Sequence, residues 1–228
     1  QVIIDEENAD VKIGDTGFET LKEAAGVAKD GDVIELLSDV IYAPNDGYTI
    51  PEGVTVLVPA GKSLTVGDLG ILGSKGSIEV QTGGKLLVPE SVIDEESQSN
   101  GNVAFVGTTD DDTSRLVLTD GSINVNFGEA LVTIKAGAKA EIPENKTTYL
   151  IVGPTGSKTA LSAVVEENAE LTVNGRLRAA SGNNGSTVTV KGTVNAADGE
   201  LSIARNAKVV VEETGNVAMS STSFVNII

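Results

Sequence analysis

An all-β solenoid led by one short helix is the fold class this sequence predicts, and three observations predict it. The first is a recurring couple of apolar pairs. Val56 and Val58 are followed by Leu64 and Val66, Ile78 and Val80 by Leu86 and Val88, and Val132 and Ile134 by Ala140 and Ile142. Ala163 and Val165 lead to Leu171 and Val173, and Leu201 and Ile203 to Val209 and Val211. In every copy the second pair begins six residues after the first pair ends. Each copy therefore reads as strand, corner, strand, with alternate side chains on one face. The second observation is the corner itself: Ala60-Gly61-Lys62, Gly83-Gly84-Lys85, Gly137-Ala138-Lys139, Asn168-Ala169-Glu170 and Asn206-Ala207-Lys208. Glycine and asparagine tolerate the positive φ that a sharp corner demands. The third is composition. Aromatic residues are 3% of a chain that is 40% hydrophobic, so Val, Ile, Leu and Ala must fill narrow layers between stacked backbones. The alternative is a set of β-sandwich modules, because a six-residue step also suits an antiparallel hairpin. Strand polarity separates the two.

A helix candidate precedes the coils. Phe18, Leu21, Ala24, Ala25 and Ala28 fall at helical spacing within residues 18–29, with Thr16 and Glu19 placed as a capping box and Asp30-Gly31 as the stop. Such a helix is expected to cap the first coil, since an uncovered coil end exposes a sheet edge and the core behind it. Before it stand two short apolar stretches, Val2-Ile3-Ile4 and Val11-Lys12-Ile13, separated by an acidic turn. After it, Val33, Ile34, Leu36, Leu37, Val40 and Ile41 make a strand or two.

Phe18-Glu19-Thr20-Leu21-Lys22-Glu23-Ala24, followed by Lys29-Asp30-Gly31-Asp32-Val33-Ile34-Glu35-Leu36, resembles the leading segment of many bacterial surface proteins of the pectin-lyase-like group. The resemblance implies a right-handed parallel β-helix in which a short helix leads into a strand and the coils follow. It covers residues 1–90 best and the remainder only through the strand-corner-strand pattern. The group mixes polysaccharide lyases, glycosidases, adhesins and inert surface spacers, so the resemblance implies an architecture and no particular chemistry.

The coils are uneven. Ile78 and Val132 are 54 positions apart, room for two coils. Residues 89–102 and the run Asp110-Asp111-Asp112 read as polar excursions from the regular path. Leu116, Leu118, Ile123, Val125 and Phe127 continue the strands, and Tyr149-Leu150-Ile151-Val152 is a fully apolar one. Val188, Val190 and Val194 resume the pattern, and the chain closes on Val217, Met219, Phe224, Val225, Ile227 and Ile228. No linker is evident. The expected layout is a cap with first strands over residues 1–45 and one continuous irregular β-helix over residues 46–228. Val58, Leu64, Val80, Leu86, Ile134, Ile142, Val173 and Val211 are expected to point inward.

Charge narrows the partners. The chain of 228 residues carries 33 acidic against 16 basic residues, for a net charge of -17. A nucleic-acid partner is excluded on this ground, as phosphate contact needs a cationic face. No apolar run approaches the roughly 18 residues of a spanning helix, so no membrane insertion is expected. The chain opens at Gln1, which reads as a trimmed mature protein or an excised piece. With no Cys and no His, disulfides, thiolate zinc sites and histidine bases are absent from its repertoire.

The remaining chemistry is thin. A carbohydrate hydrolase needs paired carboxylates about 5 to 9.5 Å apart. By the resemblance, a lyase combines an acidic calcium cluster with an Arg or Lys base. Arg115, just after Asp110-Asp111-Asp112, is the best basic partner available. That acidic run reads either as oxygen ligands for calcium or as a solvated loop, without an EF-hand or nonapeptide calcium pattern around it. Arg176 and Arg178 flank Leu177 and face either an acidic substrate or solvent. Tyr42 and Tyr48 form either a small sugar platform or core packing. Asp120 and Asp198 each precede a glycine in a turn. Asn145-Lys146-Thr147 and Asn184-Gly185-Ser186 match the glycosylation rule, which often matches by chance. No catalytic, cofactor-binding or metal residue is assigned. The function expected is a non-catalytic structural or adhesive protein, secreted or on a bacterial cell surface, presenting an acidic β-helix. Its expected partners are carbohydrate or another surface protein, and the chain is expected to be a monomer or part of a larger chain. The alternative is a polysaccharide lyase or glycoside hydrolase acting on an acidic polysaccharide.

Overall fold

A computed structural model describes residues 8–42, 49–66, 75–87, 116–126, 131–150, 162–179, 187–203, 207–220 and 224–227. The chain starts with a hairpin of β1 (Val11–Ile13) and β2 (Thr16–Phe18), then α1 (Leu21–Val27), then β3 (Val33–Leu36) and β4 (Val40–Tyr42). Next come β5 (Thr55–Val58), β6 (Ser63–Val66), β7 (Ser77–Gln81), β8 (Lys85–Leu87), β9 (Val117–Asp120) and β10 (Ser122–Asn126). Three-strand coils follow: β11 (Leu131–Ile134), β12 (Lys139–Ile142) and β13 (Thr147–Leu150), then β14 (Ser162–Val165), β15 (Glu170–Val173) and β16 (Arg176–Ala179). The last are β17 (Thr187–Val190), β18 (Thr193–Ala196) and β19 (Glu200–Ile203), then β20 (Lys208–Val211), β21 (Asn216–Met219) and β22 (Phe224–Ile227).

These strands stack into one long sheet, ordered β2-β1-β3-β5-β7-β10-β11-β14-β17-β20, and three shorter ones. The shorter sheets run β4-β6-β8, β21-β18-β15-β12-β9 and β13-β16-β19-β22. Consecutive strands such as β5 and β6 lie in different sheets, while β3, β5 and β7 are parallel neighbours, as are β11, β14, β17 and β20. Sandwich hairpins would instead have set consecutive strands side by side and antiparallel. The chain is a β-solenoid.

Register lines up the alternating apolar residues into ladders. Val58, Val80, Ile123, Ile134, Val165 and Val190 are successive partners in the long sheet and are all buried. Burying each such side chain contributes roughly 1.5–3 kcal/mol, so the ladder is the main source of stability. Leu64, Leu86, Ile142 and Val173 are buried in the shorter sheets, as expected. Val211 keeps the expected inward-facing parity but not the burial. It stands on Val190 in register yet is 49% exposed, because β20 ends its sheet and no described coil lies beyond it.

The fifth copy of the repeat also falls in a different phase. In the first four copies the corner leads from the long sheet into a shorter one. Leu201 and Ile203 lie in β19, and Val209 and Val211 in β20 of the long sheet, so that corner leads the other way. The equivalent long-sheet positions are Val188 and Val190, joined to Val194 and Ala196 through residues 191–192. Gly192 permits this shorter corner: a Cβ there would overlap the carbonyl oxygens of Glu166 and Ala169 in the coil before. The longer corners use positive φ as the sequence suggests, at Gly61 (75°), Gly83 (79°), Gly137 (77°) and Asn168 (61°).

One coil runs backwards. β10 is antiparallel to both β7 and β11, and β9 is antiparallel to β12. Here the short-sheet strand precedes the long-sheet strand, the reverse of the neighbouring coils. The ladder survives because reversal preserves side-chain parity: Ile123 meets Val80 and Ile134, and Val125 meets Ile78 and Val132.

The N-terminal helix is shorter than its spacing suggests. It spans Leu21–Val27, and its N-cap is Thr20, whose hydroxyl accepts the Glu23 N–H at 3.2 Å. Thr16 and Phe18 belong instead to β2, where Phe18 pairs with Val11. Phe18 reaches the core from a strand as well as it would from a helix, and the hairpin adds ladder hydrogen bonds. Leu21, Ala24 and Ala25 bury one face of α1 in the same core cluster as Val11, Phe18 and Ile34.

Candidate functional site

The residues flagged by sequence reasoning do not converge. Arg176 sits on the outer face of β16, exposed, with Leu177 buried beside it. Its Nε lies 2.8 Å from Glu200 Oε2 on the next coil, its register partner. The side chain is thus tied to its own scaffold. Arg178 pairs in register with Ser202, and nothing further of its side chain is described. Tyr42 is 1% exposed and packs in the core, which removes it from any sugar platform; the ring needs apolar neighbours more than a wet face. Asp120 is exposed at the end of β9, opposite Lys139, and Asp198 is exposed in the bend before Gly199. Asn145 occupies a corner at φ 62°. Tyr48, Arg115, Asn184, residues 89–102 and residues 110–112 lie outside the described residues.

What the fold does assemble is a groove of about 510 Å³ between α1 and the first coil. Asp10, Lys22, Asp39 and Ile41 line it together with Thr20 and Val40. Asp10 arrives on the approach to β1, Lys22 on the first turn of α1, and Asp39 and Ile41 around the start of β4. Both carboxylates have structural partners. Asp10 Oδ1 accepts the Ser38 hydroxyl at 2.6 Å, and Asp39 Oδ1 accepts the Ser63 N–H at 2.8 Å. The Asp10 carbonyl accepts the N–H groups of Leu37 and Ser38 as well. These bonds fasten the hairpin to the first coil and that coil to the second. Ile41, 71% exposed between buried Val40 and Tyr42, gives the groove an apolar rim. Sequence reasoning missed this site. Its one legible signal was the unbroken apolar run Val40-Ile41-Tyr42, in which alternation forces the middle side chain outward.

A second void lies inside the coil. It holds about 30 Å³ and is lined by Val132, Ile142, Ala163, Leu171 and Val188 among others. It sits where Ala163 occupies a rung flanked by Val132 and Val188. Among the described residues no group of three or more His, Cys, Asp or Glu side chains is placed to hold a metal ion. No described helix is long and apolar enough to cross a membrane.

The ladder defines a β-solenoid in which several polar side chains, among them Asp39, Glu166, Asn174 and Arg176, tie one coil to the next. Comparison with protein-family models, with curated proteins and with solved structures returns no match for this chain.

Proposed function

We propose that the chain is a non-catalytic structural or adhesive protein, secreted or displayed on a bacterial surface, that holds out a stiff, acidic β-solenoid. The reading follows the resemblance of residues 18–36 to surface proteins of the pectin-lyase-like right-handed β-helix group. The observation that carries it is the employment of the chemistry-bearing side chains. Arg176 is bound to Glu200, Asp10 to Ser38 and Asp39 to the Ser63 backbone, each a tie between neighbouring elements. A stack whose coils share one apolar ladder supplies function as a rigid spacer, with its outer faces free for contact. The net charge of -17 suits a soluble, self-repelling surface and partners that are carbohydrate or another surface protein.

The test is an activity screen on pectic, alginate-like and glycosaminoglycan polymers, with and without calcium, alongside binding to the same polymers. The expected result is no new unsaturated or reducing ends. Cleavage that disappears on replacing Arg115 or Asp110–Asp112 overturns this reading in favour of a polysaccharide lyase or glycoside hydrolase.

A further inference from the structure

The long sheet has an outward face opposite its buried one, because side chains alternate along each strand. From β5 to β17 its outward register positions run Thr55, Ser77, Asn126, Leu131, Ser162 and Thr187. A second ladder, two residues along each strand, runs from Leu57 to Thr189 and includes Asn124 and Thr133. Six strands stacked about 4.8 Å apart make this face roughly 24 Å long. Across both ladders the one ionisable side chain is Glu79, in a chain with 21% charged residues and a net charge of -17. The shorter sheets differ: their outward positions pair Lys139 with Glu170 and Arg176 with Glu200. Hydroxyls and amides mark the long face instead, and Thr55 Oγ1 lies 3.0 Å from Ser77 Oγ. Asn124 stands between Glu79 and Thr133, and its Oδ1 is covered without a hydrogen-bond partner among the described residues. A covered carbonyl oxygen without a donor is costly. The Asn124 side chain is only partly buried, so rotating its amide turns that oxygen toward a ligand on the face.

We propose that this face binds an extended neutral polysaccharide, a β-linked glucan chain lying along the stack. The proposal rests on the non-catalytic, carbohydrate-contacting reading above and names its ligand class and its surface. Sugar hydroxyls donate and accept hydrogen bonds, as Ser and Thr hydroxyls and the Asn amide do. Partly exposed Leu57 and Val164 offer apolar contact to the C–H faces of the sugar rings. An open sheet has no walls to enclose a short ligand, so contact must be gathered over many rungs, which an extended chain can do. Charge decides between glycans. A net charge of -17 repels acidic polymers at long range. Covering ionised side chains with a neutral ligand would cost their hydration, and here Glu79 alone carries that cost.

The experiment is native gel electrophoresis of the full chain with hydroxyethylcellulose or polygalacturonate cast in the gel, together with capture on regenerated cellulose. The expected result is retardation by hydroxyethylcellulose and capture by cellulose, with no retardation by polygalacturonate. Thr133→Val and Thr189→Val keep side-chain shape on outward positions, and each is expected to weaken retention about fivefold, the worth of one hydrogen bond. Thr172→Val, outward on β15 in a shorter sheet, should leave retention unchanged. Asn124→Val should weaken retention while the melting temperature holds or rises, because the variant removes an unpartnered oxygen. No retention by either cellulose probe overturns the proposal, while the non-catalytic reading still stands or falls on its own polymer screen. Retention shared equally with polygalacturonate overturns it too, as does retention weakened as much by Thr172→Val as by Thr133→Val and Thr189→Val.

Discussion

Ile123 and Ile134 stand opposite each other in antiparallel strands, inside a sheet whose coil-to-coil pairings are parallel except for the two that β10 makes, with β7 and β11. The chain passes through this coil in the reverse direction, yet both side chains are buried. Direction is thus separable from packing: the core requires alternation and register, and either polarity satisfies both.

That pairing makes the backward coil as much a part of the core as any other. Ile123→Ala is expected to cost about 2–5 kcal/mol, as is Leu86→Ala in a forward coil. Denaturant melts of the two variants should agree within the scatter of buried sites. A loss under about 0.5 kcal/mol for Ile123→Ala, typical of surface changes, contradicts the reversed register.

The helix over the N-terminal end offers a pair of changes with opposite sign. Thr20→Ala removes the cap of the Glu23 N–H and should cost about 1 kcal/mol. Gly26→Ala should raise stability by roughly 0.5–1 kcal/mol, because a Cβ there meets nothing within 4 Å. Thermal melts of both variants check the boundaries of α1. A stabilised Thr20→Ala contradicts the cap.

Gly192 is fixed by contact with its neighbours. Its added Cβ would overlap the Glu166 and Ala169 carbonyl oxygens. Gly192→Ala must therefore push two coils apart, with an expected loss of about 1–3 kcal/mol, the usual range for overpacking. The measurement is a urea melt against Gly26→Ala, whose effect should have the other sign.

Ala163 leaves room in its rung. Ala163→Val enlarges a side chain bordering the 30 Å³ void and should stabilise by about 1 kcal/mol, close to the burial of one or two methyl groups. Destabilisation in the same melt shows that the void cannot take the added volume.

Deleting residues 1–31 removes β1, β2 and α1 and uncovers the edge of β3 with Ile34 and Leu36. The expected outcome is aggregation or unfolding. A soluble monomer with an unchanged melting temperature contradicts the capping role.

The sequence by itself determined the alternation, the corners and the coil. Val and Ile at every second place commit a strand to one buried face, and glycine or asparagine at φ near +60° to +80° commits the chain to turn. These are local properties, carried by each residue and its immediate neighbours. Tertiary structure decided the rest. It drew Phe18 into a strand by pairing it with Val11, moved the cap from Thr16 to Thr20, and sent the chain backwards through Ile123. It also left Val211 uncovered while Val190 below it is buried, and gathered Asp10, Lys22 and Asp39 around one groove. The physical reason is that alternation has no direction. Apolar residues at every second place fit a parallel or an antiparallel neighbour equally, and an apolar side chain is buried only if another coil lies above it.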